Sequence, residues 1–528
     1  MKRIIDERLA ARKRSVEQRL DKNRYPVDRS RPMLQSPHLQ FELAGRGVGT
    51  SYGGVALAQQ LVRRLALAQA IDARLHVFKV HLPYHESDHV LNLAYNALCA
   101  GRSLDDLELR RQDEAYLDLL GAERIPDPTT AGDFCRRFTR ADVQALHEAY
   151  DVARRQVWSE QPPGFFAEAR IEADGTVVET GAECKQGVDL NYQGRWGYHP
   201  LVLTLANTGE VLRLVNRGGN RPSHEGAAEQ FDQSIALCRA AGFQKILLRG
   251  DTDFSQTAHL DRWHAQGDVR FVFGLDVTAG QHVEADDLPE TAWKPLKRPA
   301  KTTASGPPRA RPARVKQRIV EQRHFKDIRL VDEELAERPY RPTACRTTYR
   351  LVIVRKNLQV SEPRQGALFE DYRYFLYLTN DWESAAERIV FSANQRCQQE
   401  NVLAQLKDVR ALHAPVDNLQ SNEAYMVMTS LAWNLKAWLA LSLPELELDE
   451  QSSEGAAPQA ATPSATKQRL LGLEFRSFVN YFMRLPALVV WTGRRTVVRL
   501  LAWNAWLPEF FRLAERLRRP ARGHRLRC

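Results

Sequence analysis

Three kinds of hydrophobic pattern follow one another along the chain. Up to about residue 165, apolar residues recur every three or four positions, as in ALAQQLVRRLALAQAIDARL (56–75) and SDHVLNLAYNALCAG (87–101). That spacing predicts amphipathic helices, the second with Ser87 or Asp88 as its N-cap. IPDPTTAGDFCRRFTRADVQALHEAY (125–150) follows a Pro-rich turn and offers Thr129 or Thr130 as another cap. A helix-turn-helix fits this stretch, and so does an ordinary pair of core helices.

The pattern changes at Ala169. ARIEADGTVVET (169–180), HPLVLTLA (199–206) and EVLRLVNR (210–217) read as strands, the last two joined through Asn207-Thr208-Gly209, and together they suggest an antiparallel meander. Phe231, Ile235 and Leu237 then fall at helical spacing in a segment ending at Gly242. KILLRGD (245–251) reads as a fourth strand, HLDRWHAQG (259–267) as a helix and VRFVFGLDV (269–277) as a fifth strand. Three meandering strands, a crossover helix and further strands is the order of a ribonuclease H-like sheet, in which the fourth strand lies beside the first.

The fold class expected is therefore α/β, with a ribonuclease H-like core, a β-rich insertion and flanking helical regions. Residues 1–165 form a helical, DNA-binding N-terminal region and 166–279 the first part of the core. Residues 280–384 form the insertion, with strand-like runs RIVEQRHF, YRLVIVRKN and YRYFLYLTN around a cationic loop, KPLKRPAKTTASGPPRARPARVKQR. Helical sequence returns over 385–450 as the second part of the core, a polar linker occupies 451–467, and a basic helical region closes the chain at 468–528.

With 43% hydrophobic and 27% charged residues, the composition is that of a globular protein. The most apolar run, MVMTSLAWNLKAWLALSL (426–443), carries Asn434 and Lys436 and is shorter than the roughly 20 residues of a bilayer span, so it reads as a buried helix. The N-terminus has no apolar signal segment, which points to a cytoplasmic protein without a membrane partner. Seven cysteines without a C-x-x-C pair argue against a zinc site and a disulfide framework. The net charge of +10 is unevenly spread: residues 1–32 carry +6, residues 294–318 carry +9 and residues 481–528 carry +9. Such segregation suits a polyanion binder, although any one segment alone reads first as a solvated tail or loop.

The chemistry centres on carboxylates. Asp174 in the first strand and Asp251 at the end of the fourth would meet on neighbouring parallel strands, at the carboxyl ends where α/β sheets bind ligands. Paired carboxylates suit hard cations such as Mg²⁺, and two such ions can activate the attacking oxygen and stabilise the leaving one in phosphodiester cleavage. In ANQRCQQENVLAQLK (393–407), Arg396, Glu400, Leu403 and Lys407 share one helical face, giving a third carboxylate between two cations, or simply a surface Arg396–Glu400 pair.

These residues resemble the DDE transposases of bacterial insertion sequences, and specifically the insertion sequence 1380 family within the branch marked by Tyr-x2-Arg-x3-Glu-x6-Lys. Arg396, Glu400 and Lys407 keep that spacing, Ala393 stands where the family has Tyr, and Asp253 stands where many relatives have Gly. The resemblance implies Mg²⁺-dependent cleavage at the element's ends (Mn²⁺ substituting) with two ions, then strand transfer into target DNA. It implies Asp174, Asp251 and Glu400 as catalytic metal ligands, Arg396 and Lys407 as DNA-phosphate contacts, and a homodimer joining two terminal inverted repeats. The alternatives are a transposase-derived DNA binder whose catalysis has lapsed, and another ribonuclease H-fold nuclease.

Other residues carry weaker readings. Glu172 shares a strand face with Asp174 and is an accessory or structural acid. Trp293 is a base-stacking or core residue, Trp433 and Trp438 are core, and His199 and His224 lack metal-ligand spacing. The Arg-rich tail from Arg494 grips DNA or a second protomer, or is a solvated helix face.

Overall fold

In the computed structural model, the described residues are 2–20, 48–79, 83–297, 328–360, 371–444, 464–492 and 495–518. Strand β1 (Ala169–Gly175) alternates buried apolar Ile171 and Ala173 with polar Glu172 and Asp174, so each face of the sheet it founds receives a different set of side chains. It is followed by β2 (Leu201–Leu205), β3 (Glu210–Val215), β4 (Ile246–Gly250), β5 (Val269–Leu275), β6 (Ile328–Tyr340), β7 (Tyr349–Val360) and β8 (Asp371–Thr379). Eight of these and the short strand Lys294–Pro295 make one nine-stranded sheet, ordered from that short strand through β6-β7-β8-β5-β4-β1-β2-β3. β1, β4 and β5 run parallel, and every other pairing is antiparallel. The meander and the placement of the fourth strand beside the first follow the sequence reading.

Helix α1 (Ala227–Ala241) supplies the crossover and stops at Gly242, whose φ of 100° favours glycine. It buries Phe231, Ile235 and Cys238 in the main core with Ile171, Leu248 and Phe273. The opposite sheet face forms a second, smaller core of Val272, Val352 and Val354 beneath Ile389 and Val390 of helix α2 (Ala386–Asn394). Helix α3 (Cys397–Asp408) follows after two residues, so ANQRCQQENVLAQLK is two helices with a break at Gln395–Arg396. Helix α4 (Leu419–Leu441) is buried along nearly its whole length, wrapped by helices Glu86–Leu98 and Arg140–Ser159 and by β3. Among the described residues, no helix is long and apolar enough to cross a membrane.

Several expectations are corrected. Within the span 280–384, the described strand β8 pairs with β5, Leu376 lying opposite Leu275, and so extends the central sheet. RIVEQRHF lies outside the described residues, as does the cationic loop from residue 298. The strand found instead, β6, reads as helix-like acidic sequence, but its acids pair across strands: Glu337 with Arg350, Glu334 with Arg355 at 2.7 Å and Glu333 with Lys356 at 3.3 Å. The stretch after Asp174 holds an unexpected small sheet of Val178–Glu179, Asp189–Leu190 and Trp196–Tyr198.

The region 468–528 is not wholly helical. Ala487–Thr492 and Arg495–Leu500, rich in β-branched residues, form a hairpin that pairs with Val48–Thr50. The last residues assigned to the linker, 465–467, begin the helix Ala465–Leu471, and residues 451–463 lie outside the described set. The N-caps also differ: His85 caps one helix reciprocally with Asp88, and Asp127 caps the other by accepting from the Thr130 amide at 2.9 Å. The helices Pro128–Cys135 and Arg140–Ser159 bury Phe134, Cys135, Val143 and Leu146, which is core packing.

One buried acid ties these layers together. Glu210, with no exposed surface, accepts from Arg154 Nε at 3.1 Å, Trp158 Nε1 at 2.9 Å, Trp438 Nε1 at 2.7 Å and Thr208 Oγ1 at 2.6 Å. Helix Arg140–Ser159, β3 and α4 therefore share one carboxylate. Removing one partner of a buried charged network costs about 3–5 kcal/mol, so Glu210→Ala should lose that much stability in urea unfolding, whereas a loss below about 1 kcal/mol would contradict the role.

Candidate active site

The register of β1 and β4 brings the acidic pair together. Ala169 lies opposite Ile246 and Glu172 opposite Arg249, so two residues further on Asp174 and Asp251 are level at the carboxyl ends of adjacent parallel strands. Gly250 is required there because a Cβ would overlap Phe254 and press on Phe273. Asp251 also caps the turn Thr252–Phe254, its Oδ1 accepting from the Asp253 amide at 3.1 Å, so the capping and site roles coexist in one residue.

Glu400 arrives on the first turn of α3. Arg396, the N-cap residue of that helix, places Nη1 3.3 Å from Asp174 Oδ2 and 3.8 Å from Asp251 Oδ2, while its Nη2 lies 3.6 Å from Glu400 Oε1. The Arg396–Glu400 pair thus exists, but it is part of a larger cluster in which one guanidinium faces carboxylates from three separate segments. Side-chain exposure rises from 13% at Asp174 through 32% at Asp251 to 61% at Glu400. The first two are fixed by the sheet and the third can swing.

Burial pushes the Asp174 carboxyl up to about 7, Arg396 opposes the shift, and neighbouring Asp251 reinforces it. Asp251 is raised for the same reasons, with burial again the largest cause and Asp253 adding to it. Lys407, two turns beyond Glu400, is half-buried, and desolvation lowers its pKa against the attraction of Glu179.

Beneath the acidic pair lies a second pair. Glu172 and Arg249 are both buried and ion-paired to each other, so Glu172 is a partner of Arg249 with no exposure to an external ligand. Trp293 is buried against the Arg355 guanidinium, 4.2 Å from its ring centroid, and is a core residue. Trp433 and Trp438 are core, donating to Gly209 O and Glu210. His199 Nδ1 faces Arg221 O at 2.9 Å. Arg249 and Gln399 carry roles that the sequence reading passed over. Period-two alternation, which puts Arg249 on the face of Asp251, was the available signal for the first; nothing marked Gln399.

All-oxygen carboxylate donors suit a hard divalent cation. Among the described residues, however, no three acidic, His or Cys groups already stand close enough to hold a metal ion, and Arg396 is the cation that the three carboxylates face. The set fits a cation in the chemistry of its donors; joint ligation by all three would require the Glu400 side chain to turn from Arg396.

Asp174 provides a direct test. Its carboxyl is raised in the folded protein, so between about 4 and 7 the folded state holds a proton that the unfolded chain has released, and stability falls as pH rises through that window. Asp174→Asn should therefore be more stable than wild type in metal-free urea unfolding at pH 8, by an amount of the order of 1–3 kcal/mol, and the gap should close at pH 4. An equal or lower stability at pH 8 would contradict the burial-raised Asp174 carboxyl.

Comparison with known proteins adds three findings. No curated protein sequence matches the chain. A cryo-EM structure of a piggyBac transposase synaptic complex with hairpin DNA matches at 11% identity over 83% of this chain and 84% of that one, with a TM-score of 0.32, too loose a likeness to identify a fold. Residues 31–455 match the family described as Transposase DDE domain group 1, a span that contains Asp174, Asp251 and Glu400, and the chain belongs to that transposase family.

Proposed function

We propose that the protein is a metal-dependent DNA transposase that cleaves the ends of an insertion sequence and transfers them to target DNA, in a cut-and-paste manner. The segment β3-β2-β1-β4-β5 is read as a ribonuclease H-like core, and the insertion sequence 1380 branch as the closer kinship. The observation that carries this reading is the convergence of Asp174, Asp251 and Glu400 on the single Arg396 guanidinium.

Asp174, Asp251 and Glu400 would hold Mg²⁺ or Mn²⁺, in two ions. When bound, divalent ions lower the pKa of the attacking oxygen and neutralise charge on the phosphate and leaving oxygen. The chain's own part is positional. The sheet fixes two carboxylates, α3 brings the third, and Arg396, which now faces all three, would be the group to contact a DNA phosphate. Lys407 would contact the same backbone further along α3. DNA terminal inverted repeats and a target duplex are the partners, a homodimer would pair the two ends, and the setting is the bacterial nucleoid.

A transposase-derived DNA binder with lapsed catalysis is the second reading. It draws on Ala393 in the place of the branch's Tyr and on the lack of a ready-made three-group metal site among the described residues.

Cleavage of an end-containing duplex with and without Mn²⁺ separates the two. Wild type should nick only with the metal, and Asp251→Asn should lose at least about 10³-fold in rate while keeping or raising DNA affinity, because one negative charge near phosphate is gone. DNA binding without nicking by wild type would favour the lapsed reading, and equal loss of binding and cleavage in the variant would refute the ligand role of Asp251.

A further inference from the structure

We infer that Arg249 is a positioning residue which, with Gln399, sets where the Glu400 helix meets the acidic pair; this rests on the reading of Asp174, Asp251 and Glu400 as metal ligands. Arg249 lies two residues before Asp251 and Glu172 two before Asp174, so their buried ion pair forms a layer directly beneath the two aspartates. The Arg249 side chain continues past Glu172. Its Nη1 donates to Ser392 O at 2.6 Å and lies 3.5 Å from both Ser392 Oγ and Gln395 Oε1.

Ser392 is in the last turn of α2, where carbonyls lack helical partners, and Gln395 is in the break before α3. A guanidinium rooted in β4 therefore fastens the joint from which the Glu400 helix departs. A second fastening lies just beyond that joint. Gln399, fully buried beside Glu400, donates from Nε2 to Val202 O at 3.1 Å and accepts from Thr204 Oγ1, both on β2. The first turn of α3 is thus held to β4 upstream and to β2 downstream, on either side of β1 and Asp174. The Glu400 side chain itself stays exposed.

Stability alone gives no reason for this layer. Burying two charges costs several kcal/mol before their attraction is counted, and well-packed apolar residues of similar volume commonly serve as well or better. What an apolar pair cannot do is donate to the Ser392 carbonyl. The planar guanidinium can pair with Glu172 through Nη2 and donate to that carbonyl through Nη1, because its donors point in fixed, separate directions. A reacting group displaced by about 1 Å can cost about 10²-fold in rate, so the third carboxylate is where such a clasp matters.

The test is the double variant Glu172→Leu/Arg249→Met, which keeps volume and removes both charges. It should unfold at a denaturant midpoint close to wild type and bind end-containing DNA equally well. It should bind Mn²⁺ about tenfold more weakly in calorimetry without DNA, and cleave about 10²-fold more slowly in single turnover. Wild-type Mn²⁺ affinity and rate in a folded double variant would overturn the inference. Gln399→Met, which lacks the amide but keeps length, should show the same pattern through the other fastening, so it remains decisive if the double variant does not fold; unchanged Mn²⁺ affinity and rate there would overturn the inference equally. Wild type that neither binds Mn²⁺ nor cleaves would instead sink the reading of the site itself.

Discussion

The parallel pairing of β1 with β4 is the constraint on which the rest depends. A parallel neighbour can be reached only by a crossover, and α1 is that crossover, buried on Phe231 and Ile235 against the main core. Once the register is set by Ala169 opposite Ile246, alternation does the remaining work. Residues 171, 173 and 248 enter the main core, residues 172 and 249 form a buried ion pair, and residues 174 and 251 emerge at the strand ends. A slip of one residue would exchange core and site faces, so packing and site geometry are fixed by the same hydrophobic pattern.

Charge distribution follows from that arrangement. The sheet crowds carboxylates where desolvation already disfavours their ionised form, and Asp174 responds by rising to about 7. Arg396 relieves the crowding without removing it, because a single guanidinium is shared by three acids. Under the proposed function, a site with this imbalance would take an added cation, and the same guanidinium, once displaced, would be suited to a phosphate.

Much of this was legible in the chain, for identifiable reasons. The strand order from 169 to 277 was clear because short apolar runs alternate with turn residues, and the acidic pair followed from topology. β6 was hidden because its acids at 333, 334 and 337 resemble a helix surface, and only the cations of β7 opposite them reveal a strand. The hairpin at 487–500 was hidden by its arginines, although its β-branched residues were visible. Asp127 was missed as a cap in favour of Thr129 or Thr130, yet the proline that follows it at the first helical position was the sign. The break at Gln395–Arg396 could not be read at all, since ANQRCQQENVLAQLK keeps helical spacing through it, and the clasp from Arg249 depends on contacts between residues 143 positions apart.

Anomalous diffraction from crystals of the protein with an end-containing duplex and Mn²⁺ bears most directly on the convergence of the three acids. Manganese density should lie within coordination distance, about 2–2.5 Å, of carboxylate oxygens from Asp174, Asp251 and Glu400, with the Arg396 guanidinium turned to a DNA phosphate. Manganese bound by the aspartates while Glu400 stays on Arg396, or no manganese between β1 and β4, would contradict it.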